Sequence, residues 1–362
     1  MSTYTLYGAP ISMYTGKARA YLRYKNIPFN EVLSTYRVYK KVILPNTGVR
    51  FIPVLKTPSN EYIQDTANII DFLEKAYPKN SVFPSAPKQL LVAKLFEWFG
   101  DEWVLLPAMH YRWNVGDDDY IYQQFGQTVF PNLPRFLQKF IGKKVGIKFR
   151  GFVPKIGITP SIVPALEDWF EKELLPQLDC HFAEHNYLLG NKASIGDFGL
   201  IGPLSAHLYT DPTPKAIMDS IAPNVVRWIT RMNETPEAVG EWIADDKIPE
   251  TLTPILHTLC QDFLTHMLKT PEAVAYWKGE NRDIAIPRAI SETSFTLGNA
   301  TGKRLVTPFS QWKLQRVLSS LSEIDADRTA QSTFLKSING EGLLDVKIDA
   351  PVKREHNVLV WI

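Results

Sequence analysis

Cysteine is scarce in this chain of 362 residues: there are two, Cys180 and Cys260. They stand too far apart for a Cys-x-x-Cys redox or zinc motif, and two thiols make no disulfide framework. A reducing, cytoplasmic location is therefore expected. Net charge is also scarce. Lys and Arg number 40 against 38 Asp and Glu, leaving +2, which removes the whole-chain case for nucleic-acid binding. No apolar run approaches the ~18 residues of a transmembrane segment. The first residues show no basic segment leading into an apolar core, so no secretory signal is expected. Internal repeats and low-complexity tracts are missing too. What is present, 45% hydrophobic and 22% charged residues, is the composition of a folded globular protein. At ~150 residues per domain, the length gives two or three domains.

The first eighty residues alternate between the two- and 3.6-residue periods. Tyr4 to Tyr7 reads as a strand closed by Gly8-Ala9-Pro10, and Lys17 to Lys25 as a helix. Phe29 to Leu33, Phe51 to Leu55 and Glu61 to Gln64 read as further strands. Ala67 to Ala76 is a helix stopped by Pro78. This is a small α/β unit, bounded at 1–80. From Pro87 the pattern turns helical. Gln89 to Leu106 runs until Pro107. A ladder of Leu166, Phe170, Leu174, Leu178 and Phe182 follows Pro164, with a kink expected at Pro176. Ser194-x-x-Asp197 has the form of a capping box ahead of an apolar run, and Val225 to Met232 is another helix. This second unit spans 87–243, with an insertion near 120–164.

Residues 244–362 change character again. Helices are expected at Leu252–Leu268 and Pro271–Trp277, and a hairpin at Ser294–Leu297 and Arg304–Thr307 with a turn of more than two residues. A helix follows at Pro308–Leu321, then strands at Leu343–Ile348 and Asn357–Ile362.

Four features in order resemble the cytosolic glutathione transferase family. They are Tyr4-Thr5-Leu6-Tyr7 leading to a loop with Ser12 and then Ala18-Arg19-Ala20-Tyr21-Leu22; Ile52-Pro53-Val54-Leu55; Asp65-Thr66; and Tyr187-Leu188-Leu189-Gly190 before Ser194-x-x-Asp197. The resemblance covers about residues 1 to 243. It implies a thioredoxin-like α/β N-terminal domain and an all-α C-terminal domain. Residues 244–362 have no counterpart in the ordinary family and are read as a small α+β extension.

The resemblance is to the serine-type classes, and it puts Ser12 at the catalytic position, with Tyr7 and Tyr14 as competitors. Glutathione has a thiol of pKa ~8.5, mostly protonated at neutral pH. A hydroxyl donor and a helix N-terminus near the sulfur favour the thiolate. A serine here excludes the mixed-disulfide chemistry of relatives with cysteine at that place. Ile52 and Pro53 would pair with the cysteinyl part of glutathione through a cis peptide, and Asp65 and Thr66 would hold its γ-glutamyl end. Asn46 to Ile52 departs from the family's spacing, which leaves Lys40, Lys41 and Arg50 as weak candidates for a basic contact. Trp103, Met109, His110, Tyr111 and Trp113 would line a pocket for a hydrophobic electrophile, or else form core. A homodimer is expected from the family.

Two features stand outside the resemblance. His181-Phe182-Ala183-Glu184-His185 matches a zinc-hydrolase pattern but lacks an evident third ligand, so no metal is expected. Tyr120 to Leu166 contains seven cations and no carboxylate, interleaved with Phe136, Phe140, Phe149 and Phe152. It is a basic loop packed by its phenylalanines, or a contact for an anionic ligand, a membrane surface or nucleic acid. The alternative to a transferase is a non-catalytic binding or scaffold protein that uses this insertion or the extension.

Overall fold

The computed structural model describes residues 3–282, 284–322 and 328–362. Four strands, β1 (Tyr4–Gly8), β2 (Phe29–Leu33), β3 (Val54–Lys56) and β4 (Tyr62–Gln64), form one sheet in the order β2-β1-β3-β4. β1 and β2 are parallel because helix α1 (Met13–Tyr24) crosses between them; β3 and β4 run antiparallel. Leu6, Leu55 and Ile63 alternate inward and meet Ala18, Tyr21 and Leu22 of α1 and Ile69, Ile70 and Leu73 of α2 (Thr66–Ala76). This is a thioredoxin-like domain.

The helical domain is organised on α3 (Pro87–Glu102), which is buried along nearly its whole length. Helices α4 (Asp118–Val129) and α5 (Arg135–Arg150) form an antiparallel hairpin at one side. The basic insertion is therefore helical, not a loop. Its phenylalanines do not all pack it either: Phe136 and Phe140 are 71% and 58% exposed. Instead the hairpin closes backbone to backbone. A Cβ built on Gly142 falls 1.8 Å from Tyr122 O, and one on Gly126 falls 1.9 Å from Gln138 O. Only glycine permits that approach.

After the hairpin the chain is helical from Val163 to Glu184. A widened turn over Trp169–Leu174 precedes Pro176, and α6 (Leu175–Glu184) continues beyond it. Such a turn accommodates a missing N–H without a break. The capping box forms: Ser194 N–H donates to Asp197 Oδ2 at 2.8 Å, opening α7 (Ile195–Pro203), which crosses α3. Leu188 N–H and Trp228 Nε1–H, the latter on α8 (Pro223–Met232), also donate to Asp197. Among the described residues, no helix is long and apolar enough to cross a membrane.

The C-terminal region adds a hairpin of β5 (Ser291–Leu297) and β6 (Ala300–Val306), the helix α9 (Pro308–Ser322), and a hairpin of β7 (Val352–Glu355) and β8 (Val358–Trp361). Pairing of Leu297 with Ala300 makes the first turn two residues, shorter than expected. The strand expected at Leu343–Ile348 is not one. Gly342–Asp345 is a helical turn, and β8 pairs instead with β7. Helix α9 lies on α3, and Trp312 and Val352 close over Ala67 in the first turn of α2.

Candidate functional site

The strand register brings the thioredoxin-like candidates to one end of the sheet. Tyr7 of β1 stands opposite Val54 of β3, and Val54 stands opposite Gln64 of β4. The loop after β1, the segment before β3 and the start of α2 therefore lie side by side. These three places hold Ser12, Ile52-Pro53 and Asp65-Thr66.

Ser12 is half-buried and caps α1. Its Oγ accepts the Thr15 N–H at 3.3 Å, and its own N–H donates to Ala9 O. Accepting that bond uses a lone pair, so the hydroxyl retains its proton for donation. The Ile52–Pro53 peptide is cis, and Ile52 lies just outside the β3 ladder. Asp65, with φ of 83°, caps α2 by accepting the Ala67 N–H at 2.9 Å, and Thr66 is the buried first residue of that helix.

The competing tyrosines are placed differently. Tyr7 stacks on Tyr62 at 6.4 Å, on the sheet face opposite inward-pointing Leu6; burial and that neighbour raise its pKa. Tyr14 turns toward α3, where its hydroxyl donates to Asp101 O at 3.1 Å. Burial, then the carboxylates of Asp101, Glu102 and Asp65, push its pKa well above the usual phenol value.

Trp103, His110, Tyr111 and Trp113 are 0–2% exposed and belong to the packed interior rather than an open wall. Residues 244–362 bury Trp103 against Phe263, His266 and Phe295. The Tyr111 hydroxyl donates to Glu171, and His110 Nε2 pairs with Glu167 Oε1 at 2.8 Å. Trp113 faces Phe125 in the α4–α5 hairpin. Met109 is buried too. His181 is engaged with Thr251 Oγ1 and Tyr187 O, and burial lowers its pKa to about 3.

Sequence reasoning missed the charges around this end of the sheet. Lys17 of α1 donates to Glu97 at 2.9 Å and to Asp101 at 2.8 Å, all three side chains being buried. From the C-terminal region, Lys313 reaches Asp101 at 2.6 Å and Arg316 reaches Asp71 at 2.5 Å. Against burial, Asp101 and Glu97 raise the Lys313 pKa and the Asp71 hydrogen bond and Glu97 raise that of Arg316, with Asp65 a smaller contributor to both; burial lowers the Arg354 pKa and Asp65 partly offsets it. Arg354 also donates to Gln64 Oε1 at 2.7 Å, and Asn357 Oδ1 accepts the Gln64 N–H at 3.0 Å. Arg288 lies over the Phe51 ring at 5.2 Å. Nearby, burial raises the Glu102 pKa even though Arg304 and the Ser310 hydroxyl oppose it. One signal was available: Lys17, Glu97, Asp101 and Lys313 each interrupt an apolar helix face.

Residues 6–81 match the family model described as Glutathione S-transferase, N-terminal domain, and residues 170–236 match Glutathione S-transferase, C-terminal domain. No curated protein matches the chain. Among solved structures, it is similar to a glutathione S-transferase from Rhodospirillum rubrum F11 at 16% identity, over 68% of this chain and 97% of that one, with a TM-score of 0.40. It is similar to one from Methylobacterium radiotolerans JCM 2831 in complex with glutathione sulfonate at 15% identity, over 67% and 100%, with a TM-score of 0.39. A third is glutathione transferase F7 from Populus trichocarpa, at 16% identity over 65% and 95%, with a TM-score of 0.42.

Proposed function

Since the chain is glutathione S-transferase-like in both its thioredoxin-like and its helical domain, we propose that it conjugates the thiolate of glutathione to a hydrophobic electrophile. The observation that carries this reading is the convergence of Ser12, cis-Pro53 and Asp65-Thr66 at one end of one sheet. Ser12 donates its hydroxyl proton toward the sulfur, and the N-terminus of α1 adds its positive end. Lowering the thiol pKa by ~2 units is worth ~2.7 kcal/mol and makes the thiolate the majority species at neutral pH. Ile52 offers its backbone to the cysteinyl unit. Asp65 faces the γ-glutamyl ammonium, and the α2 N-terminus with Thr66 faces its carboxylate. The thiolate then attacks the electrophilic carbon, and the leaving group departs with the displaced electron pair.

Glutathione is a co-substrate in this reading, and no metal is used. The protein works in the cytoplasm as a homodimer. The domain bounds that go with the proposal are 1–80, 87–243 and 244–362.

One observation favours a second reading, a non-catalytic binding protein. Arg354 and Asn357 already engage Gln64, beside Asp65. Thermal unfolding of the full chain with and without glutathione separates the two. A ligand that binds only the folded state at a hundredfold excess over Kd stabilises it by ~2.7 kcal/mol. The transferase reading expects a rise in Tm at millimolar glutathione together with conjugation of a test electrophile. No shift overturns it, and a shift without turnover favours the binding protein.

A further inference from the structure

The outer face of α5 combines two properties that a water-facing helix does not usually combine. Phe136, Phe140 and Ile147 lie along one stripe at helical spacing and are 71%, 58% and 50% exposed. Lys139, Lys143, Lys144 and Lys148 flank that stripe. The buried face of the same helix is made of Gln138, Gly142 and Gly146, which press on α4. Apolar side chains have thus been left outside while the inner face is held by glycines.

The nearby acids do not cancel this charge. Asp119 pairs with Lys139 at 2.6 Å, and Asp118 pairs with Arg150 at 2.9 Å. Asp117 accepts N–H bonds from Asp119 and Tyr120 at the start of α4. Arg135, Lys143, Lys144 and Lys148 remain in excess, and no carboxylate occurs between residues 120 and 166.

We propose that α5 docks this protein onto an anionic lipid bilayer surface, lying in the interface with its phenylalanines down and its lysines at the phosphates. An apolar stripe bordered by lysines matches a headgroup layer over acyl chains, since each lysine stem extends over the apolar zone and places its ammonium among phosphates. Phe136 and Phe140 rim a shallow hollow shared with Asp118, Asp119 and Tyr122 of α4, and their rings remain mostly exposed at the surface of the hairpin. A second copy of the same face would bring like charges together. A nucleic acid would satisfy the lysines but give Ile147 no apolar surroundings. The proposal is independent of whether glutathione binds.

The test is co-flotation of the full chain with vesicles of phosphatidylglycerol mixed with phosphatidylcholine, against phosphatidylcholine alone. The protein should float with the anionic vesicles, far less with the neutral ones, and should be released by high salt. Lys143→Gln/Lys144→Gln/Lys148→Gln should weaken binding about a hundredfold at low salt. Phe136→Ser/Phe140→Ser should weaken it about tenfold or more. All five side chains are exposed, so unchanged circular dichroism and melting should accompany both variants. A wild-type chain that does not float overturns the proposal. So does flotation unaffected by the phenylalanine changes, or preferential binding to DNA or an acidic peptide that those changes leave intact.

Discussion

Lys313 and Asp101 meet at 2.6 Å with both side chains 3% exposed, across 212 positions of sequence. The contact joins the C-terminal region to the central helix of the helical domain. Lys17 from the thioredoxin-like domain reaches the same carboxylate. Three parts of the chain therefore share one buried charge cluster, and breaking it should be felt in all of them.

Removing one partner leaves the other buried and poorly compensated. Lys313→Ala should lower unfolding free energy by about 3 kcal/mol, the lower part of the usual range, because Lys17 still faces Asp101. Urea denaturation checks this. A loss within 0.5 kcal/mol, ~the scale of an ordinary surface change, would show that the cluster contributes little.

The cluster also sets an acid limit. Burial alone would raise the Glu97 pKa, but Lys17, Lys313 and Arg316 outweigh it and hold the carboxyl at about 2. An unfolded glutamate titrates near ~4.3, so this stabilisation is present above that pH and is lost as pH falls toward 2. The loss amounts to about 3 kcal/mol. Asp197 acts in the opposite sense. Burial raises it to about 6, against the hydrogen bonds it receives from Ser194, Leu188 and Trp228. Its contribution is complete below ~3.9 and is lost as pH rises through 6. Urea midpoints should therefore rise modestly from pH 7 to 5, change little between pH 5 and 3, where the two effects oppose each other, and fall below pH 3, once the Asp197 contribution is complete and the Glu97 contribution is still being lost.

Ser12 has two duties in the proposed reaction, and substitutions can separate them. Ser12→Ala should cost about 1 kcal/mol through the lost cap and lower kcat for conjugation about a hundredfold, with KM for glutathione little changed. Ser12→Thr keeps both the cap and a hydroxyl and should restore most stability. Steady-state kinetics beside thermal melts give the split; equal activity in Ser12→Ala removes the hydroxyl from the mechanism.

The β7–β8 hairpin is held to the sheet edge through Gln64. Asn357→Ala removes the acceptor for its N–H, so exchange of that amide should accelerate about tenfold, the scale of one hydrogen bond. Hydrogen exchange read at Gln64 against a core amide such as Leu6 distinguishes local opening from general destabilisation.

What could be read in the sequence was local. The alternation of Tyr4 to Tyr7, the proline at 53 and the Ser194–Asp197 box each carry a short-range signature, and all appear in the structure. Leu343 to Ile348 is apolar but short, and a run of that length does not separate strand from helical turn. Trp103 faces Phe263, His266 and Phe295, so no pattern near Trp103 reveals its burial. The same holds for Lys313 and Arg354 around Asp65. Their approach depends on how the last third of the chain docks, and no local spacing encodes that.

The glycine seam between α4 and α5 has a consequence for how related chains should vary. With Gly142 against Tyr122 O and Gly126 against Gln138 O, the inner face of the hairpin has no room for drift. On the outer face Phe136, Phe140 and Ile147 are half or more exposed, so packing does little to hold them constant. Descendants of this sequence should keep the seam whatever their habit. Those that keep Phe136, Phe140 and Ile147 as well would be recording a use for a surface that folding alone leaves to chance.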